Sequence, residues 1–249
     1  MGKRHSIAAK KASGDQAKAR NYSKIGKIIQ LAAKNGSDPS MNPSLELALQ
    51  KAKYHNLPKD VVDKAIKKGS GQLKSEDLQE IIYEGYGPGG VAILIKTLTD
   101  NTNRTSSNIK IILYKFGGSL GEPGSVSWQF NQKGTFIIDG KFEIIKEKGN
   151  DIRKTYPLNI EESEIDLMDM DVEDIDREDE KLIITVEKNN FVSVRNILID
   201  KKYNLIDSDL HYILENTLEI SDEDKIKLSD LIDNLQEDED VDIVYSNVK

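Results

Sequence analysis

Gly85-Tyr86-Gly87-Pro88-Gly89-Gly90-Val91-Ala92-Ile93-Leu94-Ile95-Lys96-Thr97-Leu98 is the stretch that decides how this chain folds. Its first six residues are turn formers. Gly85, Gly87 and Gly90 match the Gly-x-Gly-x-x-Gly dinucleotide fingerprint in form. That fingerprint has to follow a strand and open a helix, so that the helix N-terminus faces a pyrophosphate. In this chain the glycines precede the apolar run, and Pro88 removes a backbone donor. They read as a tight turn needing positive φ, not as a phosphate cradle. The run 91–98 is nearly all apolar, as in a strand buried on both faces. Thr99-Asp100-Asn101-Thr102 then offers cap residues for a helix over about 103–116. Ile109, Ile112, Leu113 and Phe116 fall at helical spacing, and Gly117-Gly118 ends the helix.

Outward from that unit the pattern repeats. Residues 126–130, 134–138 and 181–187 read as strands. Phe191, Val194, Ile197 and Leu198 mark a helix, and 212–218 reads as a further strand. Leu228, Leu231, Ile232 and Leu235 mark a last helix, and 241–245 a closing strand. Small β-α-β units with antiparallel returns are the mark of ferredoxin-like α+β domains. One such unit takes two helices and four strands, and block 79–249 holds about twice that.

The N-terminal part is different. Residues 1–20 have almost no apolar periodicity and read as a basic arm. Ile25, Ile28, Ile29 and Ala32 then recur at i, i+3, i+4, i+7 in a helix over 21–34. Asn42-Pro43 opens a second helix and Pro58 a third, which Gly69 ends. Together they predict a three-helix bundle, roughly 21–69.

The net charge of −8 hides a division. Residues 1–74 hold 16 of the 35 Lys and Arg but 5 of the 43 Asp and Glu, a net of +11. Residues 75–249 hold the other 19 and 38, a net of −19. A basic module on an acidic body points to nucleic acid, with the body repelling phosphates and orienting the docking. The candidate contacts are Lys3, Arg4, Lys10, Lys11, Lys18, Arg20, Lys24 and Lys27. Asp15 is the sole acid in residues 1–37, and a passive helix face would mix signs. Lysines are point charges, so they predict phosphate contact more than base reading. The third helix lacks Arg, Asn or Gln in its middle, which makes it a poor reader of base edges. Arg104 sits where positive charge opposes a helix dipole, a placement that suits an ion pair or a phosphate.

Other chemistry finds little support. Absence of cysteine excludes disulfides, thiolate nucleophiles and Cys-based zinc sites. His5, His55 and His211 are widely spaced, without metal-ligand pairing. Asp169-x-Asp171-x-Glu173 with Glu180 imitates a calcium loop, but Asp174 stands where the sharp turn needs glycine. Residues 161–180, with 12 acids against Arg177, read as a solvated acidic surface. Neither a catalytic constellation nor a cofactor motif emerges, so the expectation is a non-enzyme with no cofactor, no bound metal and no small-molecule substrate. No apolar run approaches a bilayer's width, so no membrane partner is expected. The absence of cysteine is compatible with a reducing cytoplasm, and the Lys-rich, acid-poor start gives a mitochondrial matrix address as the alternative.

Several separated motifs together carry a resemblance. They are Tyr83-Glu84-Gly85-Tyr86-Gly87-Pro88-Gly89-Gly90-Val91-Ala92, Thr99-Asp100-Asn101-Thr102-Asn103-Arg104-Thr105, Phe116-Gly117-Gly118-Ser119-Leu120-Gly121 and Gly124-Ser125-Val126. Asn56-Leu57-Pro58-Lys59 and Asp240-Val241-Asp242-Ile243-Val244-Tyr245-Ser246-Asn247 add to them. In this order they resemble the YebC/PmpR family of bacterial regulators, whose mitochondrial relative activates translation of a cytochrome oxidase subunit. The likeness covers almost the whole chain, but the family's early tryptophan has no counterpart in Gly2-Lys3-Arg4-His5-Ser6-Ile7.

The resemblance implies a multi-domain α+β protein with an N-terminal three-helix bundle and two ferredoxin-like domains, one inserted in the other. The implied division is 1–78, then 79–131 with 214–249, then the insert 132–213. It further implies a DNA-binding transcriptional regulator or a ribosome-associated translation factor contacting rRNA. Charge alone leaves DNA and ribosomal RNA both open.

Overall fold

A computed structural model describes residues 15–147, 150–214 and 217–248. Three helices come first: α1 (Asp15–Ala33), α2 (Pro43–Tyr54) and α3 (Lys59–Gly69). The first starts earlier than its apolar periodicity, which marks only the part of a helix that is buried. Its added turn is rich in Ala, Lys and Arg, which propagate helix without needing a core. Ile25, Ile29 and Ala33 pack on Leu45, Ala48 and Ala52 of α2 and Ala65 of α3. Each fully buried large aliphatic there contributes roughly 1.5–3 kcal/mol. Asn42 pins the α1–α2 corner. Its Oδ1 accepts from the Leu45 amide at 3.1 Å, and its Nδ2 donates to the Ala32 and Gly36 carbonyls, both at 2.8 Å.

The chain continues into β1 (Gln79–Tyr86), β2 (Ala92–Thr99), α4 (Thr102–Lys115) and β3 (Ser119–Leu120). Strand β1 was not legible in the sequence, because Glu80 and Glu84 break up its apolar character. Between β1 and β2, Pro88–Gly90 form one 3-10 turn with positive φ at Gly89 (69°) and Gly90 (77°). The three spaced glycines therefore belong to a hairpin, and a strand, not a helix, follows them. The Asn101 side chain caps α4 by accepting from the Arg104 amide at 3.0 Å.

Next come β4 (Phe130–Glu147), β5 (Asn150–Pro157), α5 (Ile160–Met168), β6 (Asp174–Glu178), β7 (Lys181–Glu187), α6 (Phe191–Asp200) and β8 (Tyr203–Leu214). Finally α7 (Asp222–Glu237) leads to β9 (Val241–Ser246). Two expected strands differ. Residues 127–129 form a 3-10 turn, and Phe130 opens the long β4 instead. The strand expected at 212–218 is the end of β8, and Leu218 makes an isolated bridge to Val248.

Two compact units result. Residues 132–213 form one, and the described residues on either side of them form the other. The inserted unit runs β4-α5-β6-β7-α6-β8 with neighbours β8-β4-β7-β6, which is the ferredoxin-like order. Strand β5 is an addition that pairs with the second half of β4, from Gly140↔Pro157 to Glu147↔Asn150. In the other unit the sheet order is β3-β1-β2-β9, all antiparallel. It shares the layering of two helices on a four-stranded sheet, but it opens with a hairpin. Val91, Ile93 and Ile95 meet Ile109 and Leu113 of α4 and Leu228, Leu231 and Leu235 of α7. The opposite side chains of β2 are buried too, which accounts for the nearly all-apolar run.

Candidate nucleic-acid interface

Of the nine cations singled out by sequence, Lys3, Arg4, Lys10 and Lys11 lie outside the described residues. Lys18 is exposed, with its Nζ 5.6 Å from the centre of the Tyr22 ring. The other four converge on the turn between α7 and β9.

Arg20 lies 3.8 Å from Glu237. One turn on, Lys24 donates to the Gln236 carbonyl at 3.0 Å. Burial pulls the Lys24 pKa below that of a free lysine; Asp242 pulls the other way, and Arg20 adds to the lowering. Lys27 donates to three acceptors: the Leu98 carbonyl at 3.1 Å, the Glu239 carbonyl at 2.7 Å and Asp240 Oδ1 at 2.7 Å. From the other side Arg104 reaches Asp100 at 2.9 Å and Asp240 Oδ2 at 2.8 Å.

Asp240 is the centre of this arrangement. Its side chain is only 5% exposed. Beyond the two cations, it accepts from Thr105 at 2.8 Å and Thr99 at 3.3 Å. Burial alone would raise its pKa, but the hydrogen bonds from Lys27, Arg104 and Thr105 outweigh that and hold it below the ordinary carboxylate value. Thr99 also accepts from the Asn101 amide at 2.9 Å, which fixes the turn into α4. Asn108 donates to Asp238 at 3.1 Å, extending the joint along α4.

The motif 99–105 thus acquires a physical account. Asn101 caps the helix, while Thr99, Arg104 and Thr105 grip a carboxylate some 135 residues away in sequence. Lys27 ties the bundle to the same carboxylate. Sequence reasoning placed Asp240 in the closing motif 240–247 but gave it no role. A further trace was the cluster of polar residues at the end of an otherwise apolar strand, which wants a buried partner.

With these cations engaged, the free positive charge of the described bundle lies elsewhere. Lys53, Lys59, Lys64 and Lys67 are exposed and make no ion pair among the described residues. Asp60 and Asp63 share the face of α3 and halve its net charge.

The acidic segment is structured. Residues 160–168 form α5 and 174–178 form β6. Glu164 pairs with Arg177, Asp166 with Lys201, and Glu173 with Lys133 at 2.7 Å. The calcium-loop spacing is therefore spent on a turn and a strand. No group of three or more His, Asp or Glu suited to a metal ion occurs among the described residues. Nor is any helix among them long and apolar enough to cross a membrane.

Fold and site together define a class: a multi-domain α+β protein whose basic helical bundle is fastened to its body by a buried carboxylate. Family models sharpen this. One described as the TACO1/YebC N-terminal domain matches residues 2–72, and one described as the TACO1/YebC second and third domain matches 78–248. The chain belongs to the TACO1/YebC family. A probable transcriptional regulatory protein of Finegoldia magna is 39% identical over 243 residues, covering 97% of this chain and 95% of that one. Another, from Thermoanaerobacter pseudethanolicus, is 39% identical over 246 residues, covering 98% and 94%. Among solved structures, a conserved hypothetical protein from Aquifex aeolicus superposes with a TM-score of 0.79 at 31% identity. That match covers 99% of this chain and 96% of the other.

Proposed function

We propose that this chain is a nucleic-acid-binding regulator of gene expression, acting on DNA through its basic N-terminal part. The charge division carries the reading: +11 over residues 1–74 against −19 over the rest. The relatives named as probable transcriptional regulatory proteins support it. In this reading 1–78 is the binding head, 79–131 with 214–249 the central domain, and 132–213 an inserted acidic domain. Phosphate contact falls to the arm cations Lys3, Arg4, Lys10 and Lys11, to Lys18, and to the exposed Lys59, Lys64 and Lys67. Lys24, Lys27 and Arg104 contribute by holding the head on the body.

Salt dependence of duplex binding tests this division of labour. Lys59, Lys64 and Lys67 changed together to Gln should lower the slope of log K against log salt by up to ~2.7, at ~0.9 per phosphate contact. Lys10 and Lys11 changed together should lower it by up to ~1.8. Slopes that stay at the wild-type value in both variants refute the assignment. A second reading, contact with ribosomal RNA, follows from the same charge, because backbone contact does not distinguish DNA from RNA. Crosslinking in cells followed by sequencing separates them. Promoter DNA supports the regulator of transcription, and dominant rRNA supports the translation factor.

A further inference from the structure

Among the seven helices described, α4 is the one without an acidic residue: Thr102-Asn103-Arg104-Thr105-Ser106-Ser107-Asn108-Ile109-Lys110-Ile111-Ile112-Leu113-Tyr114-Lys115. That is unexpected in a block with a net charge of −19. Thr105, Ile109 and Leu113 face the core. Asn103, Ser107, Lys110, Ile111 and Tyr114 form the outward stripe, at helical spacing. Arg104 is neutralised by Asp100 and Asp240, so the uncompensated charges are Lys110 and Lys115. They flank two large uncovered side chains, Ile111 at 67% exposure and Tyr114 at 83%. Lys110, Ile111, Tyr114 and Lys115 together line a shallow surface depression.

We infer that the outward face of α4 binds an unpaired, single-stranded segment of nucleic acid, with Tyr114 stacking on a base and Lys110 and Lys115 meeting its phosphates. This rests on the reading of the protein as nucleic-acid-binding and adds a second contact away from the basic head. Charge complementarity selects a polyanion, because no carboxylate on the helix opposes one. An exposed aromatic between two cations is the arrangement that holds single strands: the ring takes any base, and the charges track the backbone. An acidic amphipathic peptide fits less well. Helix-in-groove docking needs a row of aliphatic anchors in a walled groove, and this face offers one isoleucine and one tyrosine. From Asn103 to Tyr114 the stripe spans roughly 16 Å at ~1.5 Å per residue, which is room for a few nucleotides.

The test uses the full chain and fluorescein-labelled oligonucleotides, a 12-nucleotide oligo(U) and a duplex hairpin, followed by anisotropy. Tyr114→Ala should weaken oligo(U) binding about fivefold to 150-fold, the range for one base–aromatic stack. Tyr114→Phe should bind like wild type, since stacking needs only the ring. Lys110→Gln with Lys115→Gln should lower the oligo(U) salt slope by ~1.4, at ~0.7 per contact on single strands. Hairpin binding should be unchanged in all three. Unaltered melting curves confirm that each variant folds, as expected for exposed side chains. Wild-type affinity for oligo(U) in Tyr114→Ala overturns the inference and leaves the proposed function standing. So does a result in which the variants lose affinity for poly-glutamate but not for oligo(U). A wild-type chain that binds neither oligonucleotide overturns both.

Discussion

Replacing Asp240 by Asn tests the joint most directly, because Asn keeps the shape and removes the charge. The carboxylate is 5% exposed and Lys27 is 20% exposed, so their bond at 2.7 Å is shielded from water. A hydrogen bond to a charged group contributes about 1.5–3 kcal/mol net. Arg104 is half exposed and keeps Asp100, so its share is screened to about 0.5 kcal/mol. The expected loss is therefore about 2–3.5 kcal/mol. At about 2–4 °C per kcal/mol for a chain of this size, the melting temperature should fall by about 4–14 °C.

The effect should also depend on pH in a defined direction. Asp240 has its folded pKa held below the ordinary value of 3.8. Such a group stabilises fully above its unfolded pKa and loses that contribution as pH falls through the folded value. The gap between wild type and Asp240→Asn should therefore be full at pH 7 and pH 5, and should shrink only below the ordinary carboxylate value. Urea unfolding followed by far-UV circular dichroism at several pH values measures it, with Lys27→Met and the double variant closing a mutant cycle. A loss under 1 kcal/mol at pH 7, or a gap that is the same at pH 3 and pH 7, refutes the account.

Three further predictions concern other joints. Burial would raise the pKa of Glu84, but bonds from the Val126, Gly124 and Ser127 amides, at 2.7–2.9 Å, outweigh it and hold it low. Glu84→Ala strands three donors and should cost about 2–4 kcal/mol, with faster amide exchange at 124, 126 and 127; unchanged exchange there counts against it. At Gly69 an added Cβ would fall 2.2 Å from the Gln30 carbonyl, so Gly69→Ala should cost about 1–3 kcal/mol by forcing α1 and α3 apart. A neutral melting curve would show that the helices yield freely. Asn42→Ala removes a cap and two carbonyl contacts and should cost about 1–3 kcal/mol in urea unfolding, where an unchanged midpoint contradicts the role given to the corner.

Much of the fold was legible because burial writes itself into period and composition. Strand β2 has both faces covered, so it appears as a run that is nearly all apolar up to Ile95. The three helices of the bundle each bury one stripe, so they appear at period 3.6. Where an element is half exposed and polar, the signal fades. Strand β1 alternates but carries Glu80 and Glu84, the latter turned onto backbone amides 40 residues on. Helix α5 and strand β6 lie inside the most acidic stretch of the chain, where solvation conceals the one buried stripe of Ser163 and Leu167.

The site was legible only as a sum. Sequence shows that residues 1–74 are basic; it cannot show which cations are already taken. Lys24 and Lys27 on α1 and Lys64 and Lys67 on α3 look alike as solvated helical lysines, yet their surroundings differ in kind. Lys27 meets a carboxylate 213 residues away, and no local pattern encodes a separation of that length. A phosphate approaching Lys27 would have to displace Asp240, three neutral or charged donors would lose their acceptor, and a buried charge would be left bare. A phosphate approaching Lys64 or Lys67 displaces only water and counterions, and their release favours binding. Equal charges on paper thus have unequal capacity to bind. The lysines that fasten the bundle and the lysines free to meet nucleic acid should therefore separate cleanly in experiment: the first set in unfolding curves, the second in salt slopes.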